Sequence, residues 1–255
     1  MKRLKTVSIL VILVTISAIV AGYSFSSGDT ESKDIHAAKN TGFAVVELFT
    51  SEGCSSCPSA DKTVAKLLSK QVENVYILSY HVDYWNRLGW NDVFSQADFT
   101  ARQGKYAAFF SLNSVYTPQI VVNGRSEFVG SDERRLMTTV ENELRKEAPS
   151  NVSVNVKRTN NTVKVTYTTT NQHKALLHLA LVQPEATTVV KRGENGGRSL
   201  HHVNIVRALH TVDINEKGYL TIEIPKELAD IPLQLIAYTQ SRKNFAIYGA
   251  DQTNL

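Results

Sequence analysis

The chain has 255 residues, with 28 Lys and Arg against 24 Asp and Glu for a formal charge of +4, and two cysteines. Lys2, Arg3 and Lys5 precede every acidic residue, and without them the balance falls to +1. That leaves no concentrated basic face of the kind phosphate binding needs, which excludes nucleic acid as a partner. Two cysteines in so long a chain do not make a disulfide scaffold either.

In chain order, residues 1–23 pair a cationic start with an apolar run ending in small residues, the layout of a secretory signal. The run is also long enough for an uncleaved membrane anchor. Both alternatives place the remainder outside the cytoplasm, periplasmic or secreted, with membrane contact only through that segment. Residues 24–41 are polar and without period, a linker. "FAVVELFTS" (43–51) reads as a strand, and Ala60, Val64, Leu67 and Leu68 give the next segment, 57–70, one helical face. "VYILSYHV" (75–82) is a second strand. An aromatic loop, "DYWNRLGWNDVF", leads to a helix over 96–110, with Ser95 and Asp98 as its start signature. "TPQIVVNGRSEFVG" holds two short strands around Asn123-Gly124, a hairpin turn because both positions tolerate positive φ. Ser131 is placed to cap a last helix over 132–147.

The order β-α-β-α-β-β-α predicts an α/β domain over 42–148, with parallel strands and an antiparallel edge. From 149 to 255 the runs "NVSVNVKR", "TVKVTYTTT", "KALLHLALVQ", "YLTIEIP" and "LQLIAYTQ" are β-branched and lack helical period. They predict a separate antiparallel β-rich domain.

Both cysteines lie in "TSEGCSSCPSAD", at Cys54 and Cys57. A bridge between them closes so short a loop that its entropic stabilisation is only about 2 kcal/mol, less strain. The spacing serves exchange better. At the start of the first helix, unpaired N–H groups and the positive dipole end favour thiolate. A first thiol there falls below its free value, and the second lies close enough to attack a mixed disulfide.

The strand, "GCSSCP" at a helix start and the later "YTPQIVVNG" resemble the thioredoxin fold. That resemblance implies a cis-proline at Pro118 opposite the dithiol, with Thr117 lending backbone hydrogen bonds to an incoming peptide or thiol. "VVELFTSEGCSSCPSAD", "HVDYWNRLGWNDVFS", "TARQ", "VYTPQIVVNGR" and "RGENGGRSLHHVNIVR" together are similar to a secreted thioredoxin-like family known as domain of unknown function 1223. The resemblance spans most of residues 43–210. Ser55-Ser56 departs from the dipeptides of both reducing and strongly oxidising thioredoxin-like proteins, so the direction of transfer stays open.

Glu47 interrupts an apolar strand near where thioredoxins place a buried acid. It can accept the Cys57 proton, or it is a solvent-facing or lysine-paired residue. His81, Asp83 and Trp85 end the second strand, where open α/β sheets gather their sites. They can lie beside the dithiol, with His81 sharing a proton or binding a soft metal and the loop aromatics docking a client, or His81 and Asp83 hydrogen-bond the loop while Tyr84, Trp85 and Trp90 pack it down. In "RGENGGRSLHHVNIVR" the glycines make no phosphate loop, since no helix follows. The segment reads as a wide turn between strands. His201 and His202 alternate faces, so at most one approaches the thiols.

The expected function is an extracytoplasmic thiol–disulfide oxidoreductase in which Cys54 attacks, Cys57 resolves, Glu47 moves a proton and Thr117, Pro118, His81 and Trp85 position the client. No cofactor and no resident metal are expected. The client is a thiol- or disulfide-bearing protein or small thiol, with a redox partner to recycle the pair. The alternatives are a module holding Cu(I) through Cys54, Cys57 and His81, and a non-catalytic binding protein.

Overall fold

The computed structural model describes residues 42–170 and 175–255; the expectations for 1–23 and 24–41 fall on residues outside this range. The element order is β1 Ala44–Thr50, α1 Cys57–Ser69, β2 Val75–His81, α2 Ala97–Phe109, β3 Gln119–Val122, β4 Ser126–Val129, α3 Glu133–Leu144, β5 Val152–Thr159, β6 Thr162–Thr169, β7 Ala175–Val189, β8 Ser199–Asp213, β9 Lys217–Glu223, β10 Gln234–Ser241 and β11 Ile247–Asn254. The architecture is mixed α/β, as the order of elements predicts. Two details of the capping differ. Asp132, not Ser131, caps α3, its side chain accepting from the Arg135 N–H, and Gln96 precedes α2 with no side-chain cap.

Eight strands form one sheet in the order β11-β10-β7-β8-β2-β1-β3-β4. β1 and β2 run parallel, with Thr50 opposite His81, and β3 is antiparallel to β1. β1 is apolar on both faces because helices cover both. Val46 and Leu48 pack with Ala60, Val64 and Leu67 of α1 and Leu136 and Val140 of α3. Val45 and Phe49 pack on the other face with Phe99 and Tyr106 of α2. The Asn123-Gly124 turn forms as expected, with φ of 48° and 63°. A Cβ on Gly124 would lie 1.9 Å from the Phe245 carbonyl oxygen, so the β10–β11 loop closes down on a position that only glycine fills.

Residues 149–255, expected as a domain of their own, instead extend the first sheet. β8 lies parallel beside β2, with Ser79 opposite Ile205, and the Ser79 hydroxyl donates to the Val203 carbonyl at 2.7 Å. Only β5, β6 and β9 form a second sheet, which buries Val163, Val165 and Ile222 against Leu177, Leu179 and Leu235 of β7 and β10. The last strand, β11, carries no alternating β-branched pattern, and its pairing with β10 is what makes it a strand.

Candidate active site

The turn between β1 and α1 carries Cys54 and α1 opens on Cys57, both free thiols buried at 0% exposure. Cys57 is the first helical residue, and Pro58 follows in the first turn, where its missing N–H leaves nothing unpaired. Cys54 precedes the helix by one tight turn closed by the Cys57 N–H donating to the Cys54 carbonyl at 3.2 Å. The Cys54 sulfur lies 3.2 Å from the Ser56 hydroxyl and, as a thiol, donates toward the Thr117 carbonyl at 3.8 Å. The Thr117–Pro118 bond is cis. Trp85 Nε1 donates to the Thr117 hydroxyl at 2.7 Å, so Trp85 positions the residue that faces the sulfur.

The two thiols are driven apart. A hydrogen bond from Cys57 lowers the Cys54 pKa to about 6, against the opposing effect of burial and helped by the Ser56 and Thr117 side chains. Burial pushes the Cys57 thiol well above its ordinary value, and the charges of Cys54 and Asp61 push the same way. The arrangement therefore provides one thiolate near neutral pH and one retained proton beside it, the asymmetry that sequential exchange requires.

The loop 190–198, between β7 and β8, closes over this turn. Asn195, fully buried, donates from its Nδ2 to the carbonyls of Glu52 (2.8 Å) and Cys54 (2.9 Å). Arg198 Nη1 holds the Asn195 Oδ1 at 2.6 Å, and the Glu194 carboxylate accepts from the Ser55 N–H at 3.1 Å. Gly193, at φ 77°, lets the loop turn against Trp90: a Cβ there would sit 3.2 Å from the Trp90 Cβ. The wide turn expected from "RGENGGRS" is present, and it serves as a strap over the cysteines.

Glu47 departs from its expected place. It lies between Val46 and Leu48 on β1, and so faces α2, opposite the helix that carries the cysteines. Its carboxylate accepts from Arg102 Nε at 2.6 Å and from the Tyr106 hydroxyl at 2.5 Å. Gln240 of β10 ties the same group to the C-terminal strands, accepting from Arg102 Nη2 at 3.1 Å. That carboxylate is committed to an ion pair across the core rather than to Cys57. His81 is also displaced from its expected role. It is fully buried, with Nδ1 2.7 Å from Asp92 Oδ2 and its ring against Phe94 and His202, so it presents nothing to a client. Asp83 accepts from the Thr100 hydroxyl and anchors the loop. Of the two adjacent histidines on β8, His201 is exposed beside Glu185 and His202 is buried, the alternation expected of a strand.

On the α1 face beneath Cys57, His202 lies between two carboxylates: Nδ1 is 3.3 Å from Asp61 Oδ2 and Nε2 3.5 Å from Glu52 Oε1. Asp61 also accepts from the Thr50 hydroxyl at 3.1 Å, and Glu52 from Trp90 Nε1 at 2.7 Å. Asp61 was visible in the sequence only as an acid four residues after Cys57. Glu52, Asp92 and Asn195 lie within the motifs that resemble the family, but nothing in their spacing singles them out.

A mixed α/β chain with a buried, asymmetric dithiol at a helix entrance is the class that fold and site define. The family model described as "protein of unknown function (DUF1223)" matches residues 45–239, and the chain belongs to that family. A crystal structure of an Agrobacterium tumefaciens protein is 31% identical, covering 82% of this chain and 92% of that one with a TM-score of 0.63. Weaker likenesses are to a hypothetical protein of Pyrococcus horikoshii (10% identity, 41% of this chain and 84% of that one, TM-score 0.23) and to the E. coli curli protein CsgC (9%, 40% and 96%, TM-score 0.20). Neither carries an argument. No curated protein matches the chain.

Proposed function

We propose that the protein is a thiol–disulfide oxidoreductase of thioredoxin-like architecture that works outside the cytoplasm. The observation that carries this reading is the placement of Cys54 and Cys57 at the mouth of α1, with the Cys54 sulfur 3.8 Å from the Thr117 carbonyl of the cis Thr117–Pro118 bond; the lowered Cys54 and raised Cys57 pKa agree with it. Cys54 is the attacking thiolate. It displaces one sulfur of a client disulfide, forming a mixed disulfide and releasing the client's other thiolate. Cys57 then loses its proton, attacks Cys54, and leaves an intramolecular disulfide and a second client thiol. Run backwards, the same steps donate a disulfide.

Further support comes from topology. The order β2-β1-β3-β4, with α1 and α3 on one face and α2 on the other, supports a thioredoxin-like reading of this part of the sheet. The Thr117 carbonyl beside Cys54 is the backbone acceptor that this architecture offers a client. The cationic and apolar residues 1–23 support export. No observation favours the copper reading: among the described residues no three His, Cys, Asp or Glu side chains are set to surround an ion, and His81 is turned toward Asp92.

Cys54 has no exposed surface, so a client reaches it through a local opening of the structure around the turn. Cys57→Ser tests the reading. Expressed in cells, it accumulates mixed disulfides through Cys54, resolved by reductant on a gel; absence of any adduct, with the parent chain also never found oxidised, refutes it.

A further inference from the structure

The reaction proposed above needs a destination for the Cys57 proton, and Glu47 is on the wrong face to provide it. Cys57 and Asp61 are four residues apart on α1 and both buried, and thus neighbours on one helix face. Asp61 continues into the buried series Asp61–His202–Glu52, which ends at the Trp90 indole on the loop. We propose that Asp61 accepts the Cys57 proton during resolution and that His202, contributed by β8, is the positioning residue that passes it toward Glu52.

The geometry supplies the reasons. His202 is buried, and its two ring nitrogens each face a carboxylate oxygen. Neither nitrogen has a tight hydrogen bond, and Glu52 Oε1 has no other partner among the described residues. A ring that carries a hydrogen on each nitrogen presents a donor to both carboxylates at once. Burial alone would push the His202 imidazole down, but the attraction of Asp61 and Glu52 outweighs it and raises its pKa to about 10. The groups facing the ring are Asp61 from α1, Glu52 from the turn after β1, and His81 with Asp92 from β2 and its following loop. The cluster carries more carboxylates than imidazoles.

At rest burial, with the Cys54 thiolate and Asp61, keeps the proton on Cys57. Once Cys54 enters a mixed disulfide its charge is gone, and Asp61 becomes the nearby base. The proton moves from Cys57 to Asp61, the His202 proton shifts to Glu52, and the Asp61 proton replaces it on His202. The Cys57 thiolate attacks the Cys54 sulfur, breaking the mixed disulfide, and the departing client thiolate gains one proton, which balances the one that Cys57 gave up to the buried series. One disulfide forms for one broken, and no further oxidant is required.

This inference rests on the oxidoreductase reading, and the test separates the two. The reduced full-length protein is mixed with a small aromatic disulfide whose thiolate is coloured. Attack by Cys54 releases one equivalent and resolution by Cys57 releases the second. In the parent chain the second rate is nearly flat between about pH 7 and 9, because a buried base rather than hydroxide takes the proton. Asp61→Asn lowers the ratio of second to first rate by about 100-fold and makes the second rate rise about tenfold per pH unit. His202→Gln lowers the ratio by about tenfold and brings back part of that pH dependence, whereas a merely structural role for His202 would lower melting temperature and leave the profile flat. A tenfold rise per pH unit in the parent chain overturns the inference without recourse to any variant, as do variants that keep the parent's ratio and profile. If the parent releases no first equivalent, the oxidoreductase reading falls and this inference with it.

Discussion

Replacing Cys57 by Ala removes the group that does most to lower the Cys54 pKa. A hydrogen bond to a charged acceptor contributes about 1.5–3 kcal/mol, and about 1.4 kcal/mol corresponds to one pKa unit. The Cys54 midpoint should therefore climb from about 6 in the parent by about 1–2 units in the variant. Thiolate absorbance in the ultraviolet is the appropriate assay, because it does not require a reagent to reach the buried sulfur. In the reduced parent chain only Cys54 titrates in this window, since burial holds Cys57 well above it. The Ala variant has a single thiol, so its curve belongs to Cys54 alone. A parent midpoint at the ordinary thiol value, or a midpoint that does not move in Cys57→Ala, would refute the claim that the second thiol activates the first.

Three further outcomes are expected. Asn195→Ala frees the carbonyls of Glu52 and Cys54 from the strap, and should speed alkylation of Cys54 by about tenfold or more while leaving its titration midpoint in place; a faster rate accompanied by a shifted midpoint would mean the strap tunes the thiol rather than covering it. Glu47→Gln breaks a buried ion pair with Arg102, so denaturant unfolding should show a loss of about 3–5 kcal/mol with exchange kinetics unchanged; slowed exchange at equal stability would return Glu47 to the mechanism. The His202 pKa is raised from 6.5 to about 10 on folding, so its contribution to stability is complete below the lower value and disappears as pH rises through the upper one. The stability difference between the parent and His202→Gln should accordingly shrink across that window, and a difference independent of pH would show that His202 is not held as an imidazolium.

Local pattern made the first half of the fold legible. Apolar residues at helical and strand spacing located β1, α1, β2 and α2, and Asn123-Gly124 located the hairpin. The division at about residue 149 was not legible, because whether a β-rich segment forms its own layer or extends an existing sheet is decided by edge pairing. Here the free edge of β2 accepts β8, through Ser79 and the backbone around Val203, a contact between residues 124 positions apart. The cysteine pair was legible for a related reason: a four-residue spacing and a place at a helix start are both local features. Glu47 was misplaced because alternation along a strand tells that a residue faces one side, not which side the reactive helix will occupy. His202, Glu52 and Asn195 become a site only when β8 and the strap cross over the turn after β1.

Redox equilibration of the parent chain tests the central claim most directly. Incubated in thiol–disulfide buffers of graded potential and then quenched with an alkylating reagent, the 54/57 pair should interconvert reversibly between two free thiols and one disulfide, with a midpoint between about −270 and −120 mV. A pair that stays reduced across the whole series, or that oxidises only between molecules, would contradict the account.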